Sequence, residues 1–157
     1  MTPTDNIFWP YLLPILEEQK TENGIQYIKL SDSNGMDRML ADSRSEDVYP
    51  GIYVLRPKYA GQLIENALTV ARFDLTLFVF IQADHSNYTN EDAAYSYAEK
   101  VVGAVVKQLQ HDRFVSKNYM DFDSIRIEPI MYMSGVDSAY GYELKMKLGL
   151  PANEVFC

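Results

Sequence analysis

Residues 90–113 read NEDAAYSYAEKVVGAVVKQLQHDR, and this stretch decides the fold class. Its apolar positions are Ala94, Tyr97, Ala98, Val101, Val102, Val105 and Leu109, at steps of three, one, three, one, three and four. That is the repeat of one face of an α-helix; a half-buried strand would repeat every second residue. Ala93, Ala104 and Val106 widen the stripe, so burial over more than a narrow seam is expected. Thr89 or Asn90 is expected to cap the start by accepting a bond from a free backbone N–H. Glu91 and Asp92 then sit by the positive end of the helix dipole, and Lys107, His111 and Arg113 by the negative end. Gly103 costs about 1 kcal/mol relative to alanine. The pattern runs through it, so it reads as a close-approach position rather than a stop. Such a helix is marginal alone in water, and the sequence on either side offers a sheet to cover it.

Upstream, 69–83 reads TVARFDLTLFVFIQA, with the uninterrupted apolar run LFVFI at 77–81. Alternation puts Leu77, Val79 and Ile81 on one face and Phe78 and Phe80 on the other. A strand apolar on both faces must be covered on both. The long helix covers one; the N-terminal helix or another subunit is expected to cover the second. Downstream, 124–133 (SIRIEPIMYM) and 139–148 (AYGYELKMKL) form a hairpin around a five-residue loop, 134–138. Pro129 requires an edge position or a bulge. The second strand alternates strictly: Tyr140, Tyr142, Leu144, Met146 and Leu148 against Gly141, Glu143, Lys145, Lys147 and Gly149, the mark of a half-buried antiparallel strand. Pro151 ends it.

Towards the N-terminus, 7–20 (IFWPYLLPILEEQK) predicts a short helix ending near Lys20. Pro10 suits its first turn, and Pro14 kinks or delays it. TENG at 21–24 is a turn. Ile25, Tyr27 and Leu30 suggest a short strand with Gln26 and Lys29 facing away. The polar stretch 31–47 reads as a long mobile loop. IYVL at 52–55 is a brief strand stopped at Arg56-Pro57. Residues 58–68 are ambiguous, with Leu63, Ile64, Ala67 and Leu68 at helical spacing in a short segment. The class is therefore α+β: a mainly antiparallel sheet with one long helix on one face and a shorter N-terminal helix, in a single domain over 1–157.

The chain has 157 residues, 47% of them hydrophobic, enough for a sizeable core. No apolar run approaches the roughly 18 residues of a membrane span, and the first residues show no basic segment or cleavage site of a signal peptide. The net charge of −8 excludes binding driven by phosphate contacts along a nucleic acid. The acids concentrate early, nine against four bases in residues 1–50, and the longest basic cluster is Lys145-x-Lys147. Cys157, the single cysteine and the last residue, allows no internal disulfide, which fits a reducing cytoplasm.

Catalytic and metal-binding patterns are missing. His85 and His111 stand at no metal-ligand spacing, and there is no nucleophile elbow or phosphate-binding glycine loop. Asp84, Asp121 and Asp123 read as solvated loop carboxylates, and the calcium-loop-like Asp32, Asn34, Gly35 and Asp37 as a turn, because no glutamate closes the loop. No catalytic residue, cofactor or metal is expected. Tyrosine is frequent, with twelve residues; Tyr95, Tyr97, Tyr132, Tyr140 and Tyr142 suit an interface or a pocket wall, being apolar at one end and polar at the other.

In element order and pattern, DLTLFVFIQ, the helix EDAAYSYAEKVVGAVVKQL and the final pair IRIEPIMYM and GYELKMKLGL resemble the small tail-terminator, or tail-completion, proteins of tailed phages and prophages. The resemblance covers about the last half of the chain. It implies a structural virion protein that is not an enzyme. Such a protein forms homo-oligomeric rings and contacts other tail or connector proteins, in the bacterial cytoplasm or the virion. Phe78, Phe80, Tyr132, Tyr140 and Tyr142 are the candidate interface residues. No membrane and no sequence-specific nucleic-acid partner is expected. The competing reading is a small-molecule-binding or enzymatic α+β domain with a tyrosine-lined pocket.

Overall fold

The computed structural model describes residues 2–31, 49–64, 68–82, 88–112, 121–134 and 137–152. At its centre is the apolar strand, longer than the sequence pattern suggests: β4 spans Leu68–Gln82. Before it come α1 (Trp9–Glu22), β1 (Tyr27–Ser31), β2 (Gly51–Leu55) and β3 (Lys58–Ile64); after it come α2 (Tyr88–His111), β5 (Asp121–Ser134) and β6 (Asp137–Pro151). The architecture is α+β. A six-stranded sheet runs β1-β2-β4-β6-β5, with β3 also paired to β4. Pairing is antiparallel except between β1 and β2, which are parallel. The connection between these two, 32–48, includes most of the expected loop and lies outside the described residues.

β6 pairs with β4 along nearly its full length, from Val70↔Pro151 to Gln82↔Ala139. That register sets Leu144, Met146 and Leu148 beside Leu77, Leu75 and Phe73 on one face. All six are buried there together with Ala98, Val101, Val102, Val105 and Leu109 of α2. The expected helical stripe is thus the face that meets the sheet. At its margins the reading needs correction. Ala93 is exposed. Gly103 is exposed too, and a Cβ there would meet nothing within 4 Å, so it marks no close approach. The helix starts at Tyr88, which places Thr89 and Asn90 in its first turn instead of before it.

The N-terminal helix does not cover Phe78 and Phe80. It lies on the same face as α2: Leu12, Ile15 and Leu16 join the cluster around α2, and Phe8 packs on Phe73 with ring centroids 5.1 Å apart. A π-helical turn, Thr4–Phe8, precedes α1. Pro10 lacks an N–H, and its ring would crowd the carbonyl four residues back in a regular helix; a wider turn before it relieves both problems. Pro14 is accommodated inside the helix. Gly24, at φ 73°, turns the chain out of α1, and the amides of Asn23 and Ile25 both bond the Gln19 carbonyl at 2.9 and 3.2 Å.

Within the ambiguous segment 58–68, residues 58–64 are strand despite the helical spacing, because they fold back on β4 from Lys58↔Asp74 to Ile64↔Leu68. β2 and β3 occupy the same edge of β4. Val54 faces Leu77 and Lys58 faces Asp74, so four steps on one side match three on the other. The extra residue falls at Arg56-Pro57, where a proline fits a bulge. The closing hairpin is tighter than a five-residue loop, since Ser134 pairs with Asp137. Pro129 sits on the outer strand, as its missing donor requires.

Gly141 is where the sheet tolerates no side chain. A Cβ there would lie 1.6 Å from the Val79 carbonyl oxygen. Gly141→Ala is therefore expected to lower unfolding free energy by about 2 kcal/mol or more. Gly103→Ala, in open space on an exposed helix turn, is expected to raise it by about 0.5–1 kcal/mol. Urea denaturation checks both: the two midpoints should move in opposite directions at constant slope.

Candidate interaction site: the helix-free sheet face and its outer strand

On the face of the sheet away from both helices, one end is aromatic. Tyr53, Phe80, Tyr49 and Ala139 form a second buried cluster, flanked by Tyr27, Leu55, Phe78 and Ile130. Register explains the grouping. Tyr53 faces Phe78 across β2 and β4, and Phe80 faces Gly51 on one side and Gly141 on the other. Phe78 and Phe80 stack at 5.9 Å, and Tyr53 lies 6.0 Å from Phe80 and 5.8 Å from Tyr27. Tyr53 is fully buried. Burial raises its phenol well above the ordinary tyrosine range, and the neighbouring Tyr49 and Tyr27 add to the shift.

The five interface candidates divide between the two faces. Phe78 and Phe80 are on the helix-free face, and Tyr132 holds the register position opposite Ala139 on that side. Tyr140 and Tyr142 point the other way, beneath α2. Tyr140 is 2% exposed and donates from its hydroxyl to Glu91 Oε1 at 2.9 Å. Tyr142 is half-buried and bonds Glu99; burial, then the Glu99 charge, then that bond raise its phenol. The Tyr95 ring meets both edge-on, at 5.5 and 6.1 Å. Two further tyrosines tie the helices together. Tyr97 donates to the Asn23 carbonyl at the end of α1, and Tyr11 donates to Asp112 at 3.1 Å. The Tyr11 phenol is raised by burial, then by the Asp112 charge and bond. These phenols join elements of the fold.

Among the described residues, large exposed apolar side chains stand on β3, at Tyr59, and as a pair on β5, which sequence reasoning did not single out. Ile127 is 42% and Met131 54% exposed. They stand opposite Leu144 and Tyr140, on the helix side of the sheet. Exposed Pro129 lies between them, opposite Tyr142. The signal was present as alternation: in SIRIEPIMYM, Ile127, Pro129 and Met131 share one parity. What the sequence could not show is that the helix cover stops at β6.

Two clefts accompany these surfaces. One, of about 460 Å³, opens at the Arg56-Pro57 bulge. The other, of about 370 Å³, lies between α1 and α2 and is lined in part by Glu18, Glu22, Lys107 and His111. Neither is lined by tyrosine. Among the described residues no three or more His, Cys, Asp or Glu gather as a metal site, and no helix is long and apolar enough to cross a membrane. His85, Asp84 and Cys157 lie outside the described residues. No protein-family model matches the chain, and no curated protein matches it.

The buried phenols make stability depend on alkaline pH. A tyrosine whose folded pKa lies above its unfolded value of about 10 keeps its proton in the native state while the unfolded chain loses it. Its contribution is complete below about pH 10 and is lost as pH rises towards the folded value. Unfolding free energy is expected to fall above pH 10. Each such tyrosine adds about 1.4 kcal/mol per pH unit to the slope. Tyr53→Phe should remove one such increment, whatever its effect at neutral pH, as measured by urea titrations between pH 9 and 11.

Proposed function

We propose that the protein is a structural assembly subunit resembling the tail terminators of phages and prophages. It acts through homo-oligomerisation and contacts with other tail or connector proteins, without catalysis, in the host cytoplasm or the virion. The observation that carries this reading is β5. A 14-residue outer strand that exposes Ile127 and Met131 offers unpaired backbone groups and apolar side chains together. Unless guarded, such an edge pairs with another chain. Pro129 removes one donor in mid-strand, which shortens the pairing-competent stretches without removing the apolar stripe. On the helix-free face, half-buried Phe78 adds support, whereas Phe80 is already covered by the rings of its own chain.

The test is size-exclusion chromatography with light scattering. The native chain should run as one discrete oligomer at micromolar concentration. The double substitution Ile127→Lys, Met131→Lys should reduce it to monomer while leaving the far-ultraviolet dichroism unchanged, since both side chains are already exposed. A native chain that stays monomeric at the highest soluble concentration would overturn the assembly reading. Closed rings in negative-stain images would be expected for a tail terminator, and open filaments would argue against one.

A further inference from the structure

We propose that the cleft at the Arg56-Pro57 bulge is a binding site for a small, multiply charged oxyanion of the diphosphate type. Its floor is the regular centre of the sheet: Asp74 and Thr76 of β4 beside Lys147 and Lys145 of β6. Its two walls are the places where the outer strands leave that regularity. On one side the extra residue at Arg56-Pro57 separates β2 from β3. On the other, β5 breaks register between Asp121 and Arg126, and Ser124 from that break lines the cleft. Bulges re-aim side chains at a sheet surface, and here two of them bound the same cleft.

The charge in the cleft opposes that of the chain. Arg56, Lys58, Lys145 and Lys147 line it against one carboxylate, Asp74, so four minus one leaves +3 on a chain of net −8. Lys58 and Lys147 both flank Asp74, one from each neighbouring strand. Their backbones are therefore roughly 10 Å apart, two strand spacings, which flexible lysine stems close easily. Among the described residues neither makes an ion pair within 4.0 Å. Among the described residues, the Arg56 guanidinium has an exposed contact to Asp5 at 4.0 Å, and the Lys145 ammonium a contact to Glu143 at 3.4 Å.

Like charges set this close on one sheet face repel one another, and Asp74 between two of them, with Asp121 at the β5 register position of Lys147, offsets only part of that repulsion. A planar guanidinium, three ammonium groups and a hydroxyl suit an ion with many equivalent oxygens, which takes several charge-assisted hydrogen bonds at once. The volume of about 460 Å³ is that of a small-molecule site. The site is independent of the β5 stripe, which faces the other side of the sheet.

Isothermal titration with sodium pyrophosphate at low ionic strength tests the proposal, with citrate as the carboxylate comparison. One pyrophosphate should bind per chain, more weakly as salt rises. Lys58→Ala and Lys147→Ala, both at exposed positions, should each weaken binding by roughly tenfold. Lys100→Ala, on the exposed face of α2, should leave it unchanged. Thermal unfolding of each variant confirms that it is folded. Absence of saturable pyrophosphate binding would overturn the site, as would equal weakening by Lys100→Ala, which would mean diffuse attraction. Tighter binding of citrate would overturn the phosphate assignment. Binding only to single-stranded oligonucleotides, with affinity growing with length, would replace the small ligand by a nucleic-acid backbone.

Discussion

The structure depends on the run 77–81 of β4 having no polar face. Leu75, Leu77 and Val79 on one side and Phe80 on the other are almost wholly buried, so both sides of one strand must be sealed. The two sides are sealed by different means. Leu75, Leu77 and Val79 are covered by helices, α2 directly and α1 beside it, in a single aliphatic core. Phe78 and Phe80 are packed by rings from the neighbouring strand and its approach, Tyr53 and Tyr49, next to the glycines of β2 and β6. The first device is thick, and it tolerates the wide α2 stripe. The second is a single layer of side chains. Beside it the β4 backbone comes so close to Gly141 that a Cβ there would lie 1.6 Å from the Val79 carbonyl oxygen.

Much of the architecture was legible because periodicity reports which face is buried. The α2 stripe, the two-faced 77–81 run, the alternation of β6 and the edge position demanded by Pro129 each follow from spacing or from a missing donor. What was not legible depended on partners. Residues 58–64 have helical spacing, yet the antiparallel register with β4 makes them strand, an ordinary case of tertiary pairing overriding local pattern. The side taken by α1 could not be read either, since an amphipathic helix specifies that it needs an apolar face but not which one. Gly103 shows the same limit: a glycine inside a helical pattern has a packing meaning only if something packs there, and nothing does.

The candidate surfaces divide along the same line. Phe78 and Phe80 were recognisable from alternation, and their shared face is where alternation places it. Tyr140 and Tyr142 were recognisable as a tyrosine pair on one side of β6, but the identity of that side is a property of the helix. Beneath α2 the phenols find Glu91 and Glu99, and these bonds let a polar tip be buried without leaving a hydroxyl unsatisfied. The frequency of tyrosine thus serves the joints between α1, α2 and β6.

Net charge was the least informative quantity at local scale. A net charge of −8 argues against a continuous phosphate-tracking surface, yet Arg56, Lys58, Lys145 and Lys147 meet in one cleft. Two of them are nearly ninety residues from the other two in sequence, and no window along the chain shows more than Lys145-x-Lys147. They meet because β3 and β6 flank the same stretch of β4, with Lys58 and Lys147 both opposite Asp74. That arrangement also separates the two surfaces. Side chains alternate across the sheet, so the lysines of β6 and the apolar residues that pack under α2 are interleaved residue by residue, one set facing each way. The β5 stripe continues the helix-side set past the edge of the helix, and the cationic cleft belongs to the other. A partner bound along β5 and an anion bound at the bulge would therefore occupy opposite faces of one sheet. They would share the rigid β4–β6 pair as a floor, and neither would need to displace the other.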